Sequence, residues 1–261
     1  MTPRLADLEH LARHAGQILR DSFGQVSQVD YKGVIDPVTE VDRRSEAYIL
    51  GEIRSRFPDH RILSEESGFS SGKDGCQWFV DPLDGTVNFA HGLPIFSVSI
   101  AYAEDGEVRL GVVYDPMHEE CFKAERGAGA WLNGKPIQVS ETGALVESIL
   151  VTGFPYDIQK NPQNNLDHFG DFMLRCQGVR RLGSAALDLC YVAAGRIDGY
   201  WEISIGAWDV AAGGLIAEQA GAKVTNIRGG RDYLSPPSTV LAANRYIYPQ
   251  MMQVLLGKHA D

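Results

Sequence analysis

Residues 78–92 read Trp78-Phe79-Val80-Asp81-Pro82-Leu83-Asp84-Gly85-Thr86-Val87-Asn88-Phe89-Ala90-His91-Gly92. An apolar run with the pattern of a buried strand delivers two carboxylates three residues apart. A Gly-Thr pair follows, then a helical turn. Carboxylates at a strand end suit a hard cation, because Mg²⁺ and Ca²⁺ take oxygen ligands. Backbone N–H groups and a hydroxyl at a helix start suit a phosphate. Both in one short turn point to metal-assisted phosphoryl chemistry. Asp-x-x-Asp by itself is a common turn or helix cap. Here Pro82 stiffens the turn and Gly85 lets the backbone approach a ligand closely.

Other acids gain weight from this stretch. Glu65-Glu66 ends a strand after Ile62-Leu63-Ser64, where paired acids repel unless a cation is near. Asp42, in Val38-Thr39-Glu40-Val41-Asp42, is an ordinary first-turn helix acid unless it has a partner such as the Thr86 hydroxyl. Trp208-Asp209-Val210-Ala211-Ala212-Gly213-Gly214 opens a helix, and Asp209 is either its cap or a third carboxylate for a multi-metal site. Two familiar motifs are decoys. Gly129 to Lys135 nearly matches a nucleotide P-loop, but Pro136 replaces Ser/Thr and Asn133-Gly134 reads as a hairpin turn. Gly68-Phe-Ser70-Ser-Gly72 matches GxSxG in a polar loop rather than at a strand-to-helix elbow.

The chain has 261 residues, enough for a single domain with subdomains at about 1–145 (α+β) and 146–261 (α/β). Its net charge of −10 argues against nucleic-acid binding, which needs a basic face. Leu5, Leu8, Ala12, Ala15, Ile18 and Leu19 recur at helical spacing, so the N-terminus reads as an amphipathic helix rather than a signal peptide. No apolar run approaches the roughly 20 residues that span a bilayer. Cys76, Cys121, Cys176 and Cys190 are far apart and read as reduced thiols of a cytoplasmic protein.

Further elements follow from periodicity and turn signals. Val26–Ile35 reads as a strand pair or extended arm. Thr39 caps a helix to about Phe57. Arg61–Ser64 and Cys76–Val80 are strands, with a Gly/Ser-rich loop over Gly68–Gly75. Three antiparallel strands span Pro94–Ala103, Val108–Tyr114 and Glu119–Ala124. The second half alternates more regularly: strands at Ser148–Thr152, Ile197–Trp201 and Thr239–Ala242, and helices at Asn164–Cys176, Ser184–Gly195, Trp208–Ala220 and Tyr246–Leu256.

Taken together, these segments resemble the inositol monophosphatase family. Asp81-Pro82-Leu83-Asp84-Gly85-Thr86-Val87-Asn88-Phe89 matches its first signature and Trp208-Asp209-Val210-Ala211-Ala212-Gly213 its second. Glu65-Glu66, Asp42, Gly127-Ala128-Gly129-Ala130 with Asn133-Gly134, and Gly183-Ser184-Ala185-Ala186 stand in the family's order, so the resemblance covers nearly the whole chain. It implies a fructose-1,6-bisphosphatase-like sandwich of alternating α-β-α-β-α layers. It also implies a Mg²⁺-dependent phosphomonoesterase with two to three ions per site, commonly a homodimer and commonly inhibited by Li⁺.

The resemblance assigns residues as well. Glu65, Asp81 and the Leu83 carbonyl would hold one metal; Asp81, Asp84 and Asp209 a second; Glu65 a third, weaker one. Asp42 and Thr86, with Glu65, would activate water. Gly85 and Thr86 would hold the phosphate. Gly183, Ser184, Ala185 and Glu202 would face the alcohol, beside Asp84 and Asp209. The sequence departs from the family at Glu218-Gln219-Ala220-Gly221-Ala222, where Glu-Ala-Gly-Gly is frequent, and in a short loop after Glu65. A small polyol phosphate, with inositol 1-phosphate foremost, is the implied substrate. Fructose-1,6-bisphosphate, histidinol phosphate and 3′-phosphoadenosine 5′-phosphate are alternatives within the same chemistry. A regulatory protein that binds the transcription machinery is an alternative of another class.

Overall fold

The computed structural model describes residues 2–25, 29–31, 37–73 and 75–257. Helix α1 (Leu5–Ser22) buries Leu8, Leu11, Ala12, Ala15 and Leu19, the stripe that its sequence spacing predicts. Strands β1 (Val29–Tyr31) and β2 (Pro37–Thr39) pair antiparallel. The predicted arm at Val26–Ile35 therefore finds its partner beyond its own window; the rest of that window lies outside the described residues. Thr39 caps α2 (Glu40–Arg56), its hydroxyl accepting from the N–H groups of Val41 and Asp42.

Eight strands follow in the first half: β3 (Arg61–Ser64), β4 (Gly68–Ser70), β5 (Cys76–Asp84), β6 (Ser97–Glu104), β7 (Glu107–Asp115), β8 (Glu120–Glu125), β9 (Gly129–Leu132) and β10 (Lys135–Pro136), with α3 (Thr86–Ala90) after β5. They form one sheet in the order β10-β9-β8-β7-β6-β5-β3-β4. Only the β3–β5 pair is parallel. The second half provides β11 (Ile149–Thr152), α4 (Leu166–Met173), β12 (Gly178–Arg180), α5 (Ala185–Ala193), β13 (Gly199–Glu202), α6 (Ala207–Gln219), β14 (Lys223–Thr225), β15 (Val240–Ala243) and α7 (Tyr248–Leu255). Its five strands order as β12-β11-β13-β15-β14.

Three apolar cores define the layering. Helices α1 and α2 cover one face of the larger sheet through Leu8, Ile49, Trp78, Val98 and Val112. Helices α5 and α6 lie between the two sheets, with Phe79, Phe122, Leu187, Leu189, Leu215 and Tyr200 in their core. Phe172, Trp201, Leu241 and Met251 form the outer core where α4 and α7 cover the smaller sheet. This is the expected α-β-α-β-α sandwich. Strand β5 shows why its sequence is so apolar: Trp78 and Val80 enter one core while Phe79 enters the other.

Some expectations need correction. Gly68–Ser70 is a strand on the sheet edge, paired with β3 through backbone groups rather than left as a loop. The helix expected over Asn164–Cys176 runs only over Leu166–Met173, because Asn165 takes a left-handed φ of 71° and turns its side chain to Thr152 and Gly153. Asn133 and Gly134, with φ of 48° and 78°, make the β9–β10 hairpin where the P-loop decoy lay.

Candidate active site

The first site carboxylates owe their placement to an irregularity in β5. Along β5 the register advances from Asp81 to Asp84, three residues, while the partner β6 advances only from Ser99 to Ser97, two residues. In an unbroken strand, positions three apart face opposite sides. The extra residue is a bulge that returns Asp84 to the side of Asp81. Pro82 has no N–H to pair and suits such a position. Its carbonyl accepts a hydrogen bond from Ser45 of α2 (2.8 Å), which fastens the bulge to the neighbouring layer.

Helix α6 brings Asp209 to the same place from the far half of the chain. One oxygen from each of Asp81, Asp84 and Asp209 lies within 4.8 Å of the others. Asp81 and Asp84 are buried, whereas Asp209 keeps some surface open to the cavity above. Enclosure, reinforced by the charge of Glu65 and then of Asp84, pushes both Asp81 and Asp209 well above the usual carboxylate range. Asp84 also rises through burial, but four hydrogen bonds to its oxygens oppose the rise.

Those bonds show that Asp84 starts a helix as well. It accepts the Ala185 N–H (3.1 Å), the Ala186 N–H (2.9 Å) and the Ser97 hydroxyl (3.4 Å), and the Ser184 hydroxyl donates to it as well. Ser184 thus stands at the N-cap of α5, as the sequence predicts, yet the side chain that accepts the first amides is Asp84. Asp209 accepts the Gly206 N–H at the start of α6 (2.8 Å), and Asp42 accepts the Thr39 N–H at the start of α2 (2.8 Å). Three helix N-termini therefore converge on the cavity, each bound to a candidate carboxylate.

Asp42 and Thr86 do meet. The Thr86 hydroxyl lies 2.9 Å from Asp42 Oδ1 and 3.0 Å from the Leu83 carbonyl. Burial raises the Asp42 carboxyl despite its bonds from Thr39 and Thr86. Gly85, between Asp84 and Thr86, has a φ of 97°, and a Cβ there would come within 2.9 Å of the Ile95 carbonyl. A side chain is excluded on both counts.

The cavity holds about 420 Å³ and reaches from this cluster to Gly183, Ser184, Ala185 and Glu202. Every predicted site residue lines it except Asp42, which reaches it through Thr86. Glu202 on β13 accepts the Tyr200 hydroxyl (2.6 Å), and burial pushes its carboxyl up to about 7. The Glu202 carboxyl lies where a Cβ on Gly153 would be, only 2.0 Å from Oε2. Among the described residues, Arg181 is the basic side chain that lines the cavity; Lys123 is engaged with Glu9 (2.6 Å).

Sequence reasoning missed several contributors. Asn88, inside the first signature, donates to the carbonyls of Ile95 (2.8 Å) and Leu182 (2.7 Å), tying the Asp81–Thr86 turn to the segment before Gly183. Glu46 accepts the Ser67 N–H (3.0 Å) and the hydroxyls of Ser64 and Ser67, holding the chain on both sides of Glu65. Asp188 of α5 also lines the cavity. Its signal was an acid within the apolar run Ala185-Ala186-Leu187-Asp188-Leu189-Cys190.

The cavity lining carries six carboxylates, Glu65, Asp81, Asp84, Asp188, Glu202 and Asp209, against one cation, Arg181. A site this acidic would repel a phosphate ester. With oxygen donors clustered at its floor, it fits divalent cations of the hard class, which would reverse that repulsion.

The comparisons with known proteins agree with this geometry. The model of the inositol monophosphatase family matches residues 2–259. The chain is 44% identical over 250 residues to the Nus factor SuhB of Pasteurella multocida, covering 95% of this chain and 94% of that protein. It is 42% identical over 247 residues to the inositol-1-monophosphatase of Mesorhizobium japonicum, covering 94% and 92%. The structure of inositol monophosphatase from Anabaena superposes with a TM-score of 0.88 at 42% identity, covering 97% of this chain and 95% of that one. A family model that spans nearly the whole chain, relatives above 40% identity and a matching fold lead to one conclusion: the chain belongs to the inositol monophosphatase family.

Proposed function

We propose that this protein is a Mg²⁺-dependent phosphatase of small polyol phosphate monoesters, with inositol 1-phosphate the leading substrate. The observation that carries this reading is the meeting of Asp81, Asp84 and Asp209 at the floor of a cavity whose other end holds Glu202. Glu65, Asp81 and the Leu83 carbonyl would hold one ion, Asp81, Asp84 and Asp209 a second, and Glu65 a third. Bound ions would neutralise the phosphate oxygens, acidify a water and stabilise the leaving alkoxide.

The chain's own residues do the rest. Glu65 and the Thr86 hydroxyl, itself held by Asp42 and the Leu83 carbonyl, orient the attacking water, whose proton passes to Thr86 as Thr86 gives its own to the Asp42 carboxylate. The turn at Gly85 and Thr86 seats the phosphate. Gly183, Ser184 and Ala185 flank the alcohol, and Glu202 takes its hydroxyls. Water oxygen attacks phosphorus, the bond to the ester oxygen breaks with its electron pair going to that oxygen, and the alkoxide leaves as the alcohol after taking a proton from solvent water in the open cavity.

Phosphate release with Mg²⁺ over inositol, glycerol, fructose, histidinol and adenosine phosphates tests the reading. Inositol 1-phosphate should be turned over best. Asp209→Asn should cut turnover to below about one hundredth of wild type while leaving the circular dichroism spectrum unchanged. Near-normal turnover by that variant at saturating Mg²⁺ would sink the three-carboxylate site. Inhibition by Li⁺, a homodimer and a cytoplasmic location belong to the same proposal.

The name Nus factor on the Pasteurella multocida relative favours a second reading, in which the chain also binds the transcription machinery. Stoichiometric recovery of RNA polymerase in a pull-down would raise that reading. Phosphate release alone would not.

A further inference from the structure

We propose that Asp188 is a specificity residue that accepts a hydrogen bond from a hydroxyl of the substrate's alcohol, alongside Glu202. The inference deepens the phosphatase reading and rests on it. Asp188 lies one turn into α5, its N–H bonded to the Ser184 carbonyl (2.9 Å). Its neighbours Leu187 and Leu189 enter the core between the sheets, whereas Asp188 lines the cavity. The residue is only 2% exposed, yet its side chain makes no hydrogen bond among the described residues, and Oδ1 is buried without any partner.

That isolation is costly. Carboxyl groups removed from water are almost always hydrogen-bonded, and each exception calls for a reason. Among the described residues no group hydrogen-bonds it in compensation. Asp84 and Glu202 are near enough to repel a charge on Asp188, and the attraction of Arg181 is the smaller influence. An unpartnered acceptor that lines a ligand cavity is explained by a donor that arrives with the ligand.

The ligand group follows from chemistry. A phosphate offers acceptors and negative charge, so Asp188 cannot serve that end of the substrate. A hydroxyl is a donor and fits. Two carboxyl groups, Asp188 on α5 and Glu202 on β13, then face the alcohol from different layers of the fold. Two acceptors match an alcohol with at least two further hydroxyls, and they give nothing to a plain alkyl ester. A site built around a substrate hydroxyl discriminates strongly against analogues that lack it.

The test compares inositol 1-phosphate with cyclohexyl phosphate, the same ring without free hydroxyls, using Asp188→Leu and Asp188→Asn with Mg²⁺. Asp188→Leu should lower the ratio of the two kcat/KM values by about 30-fold or more, mostly through KM for the inositol ester. Asp188→Asn keeps an acceptor oxygen and should recover most of the ratio. Should the leucine variant not fold, Asp188→Ala carries the same comparison. An unchanged ratio in Asp188→Leu, or equal loss on both esters, would overturn the proposal, because the residue would then be structural or serve the cation end. Wild-type protein that hydrolyses neither ester would refute the phosphatase reading itself, before any variant is compared.

Discussion

Glu202 shows how one buried side chain can set a pH dependence. Its carboxyl lies against Gly153 and accepts the Tyr200 hydroxyl, and enclosure raises it from the ordinary 4.5 to about 7. Between those two values the folded protein binds more protons at this group than the unfolded chain does. Stability attributable to Glu202 is therefore highest below about pH 4.5 and falls as pH rises to about 7. The difference is on the order of 3 kcal/mol. In metal-free protein, urea unfolding of Glu202→Gln should lack this part of the decline. The gap between variant and wild type should widen by that order across the interval, in the variant's favour. A gap independent of pH would show that Glu202 ionises as freely folded as unfolded.

At the scale of elements, the junction between β5, α3 and the segment before α5 matters most. Asn88 bridges it with two bonds from one amide to the carbonyls of Ile95 and Leu182. Asn88→Ala leaves both carbonyls short of a partner. A loss of about 2 kcal/mol in stability is expected, read from denaturant midpoints. KM for the polyol ester should rise more than kcat falls, because the segment leading into Gly183 loses its tether at Leu182 while the acidic cluster keeps its own. The strands and turns of this junction were legible in sequence to different degrees. Asp81 to Thr86 is contiguous, so its chemistry can be read locally. The Asn88–Leu182 contact spans 94 residues and has no local trace. Gly68–Ser70, Gly178–Arg180 and Lys223–Thr225 are three-residue strands held by backbone pairing, which side-chain periodicity does not report. Asp188 was visible as an anomaly in an apolar helix, but its missing partner became apparent only once burial was known.

At the scale of the whole molecule, the layers converge on a cluster of like charges. Strand β5 supplies Asp81 and Asp84, and α6 supplies Asp209, so folding itself forces these carboxylates together. The cluster destabilises the metal-free protein, and a cation should relieve it. Adding Mg²⁺ to chelator-treated protein at about 100 times its dissociation constant should contribute about 2.7 kcal/mol. For a chain of this size that corresponds to a rise of roughly 5–10 °C in melting temperature. Because Asp81 and Asp209 start above the usual range, binding should also release protons, measurable as a buffer-dependent heat in calorimetry. A melting temperature indifferent to Mg²⁺ would mean that the cluster holds no cation.

The three converging helix starts carry an evolutionary consequence. Asp42, Asp84 and Asp209 each accept amide hydrogens that begin α2, α5 and α6. Losing any of these carboxylates would remove a helix cap as well as a chemical group, and caps are worth about 1 kcal/mol. A descendant selected only for a binding partner, and no longer for turnover, would still be under pressure to keep all three. An intact acidic signature in a homologue is thus a record of folding as much as of catalysis. Among relatives with different names, the informative positions are those with no helix to begin, such as Glu65.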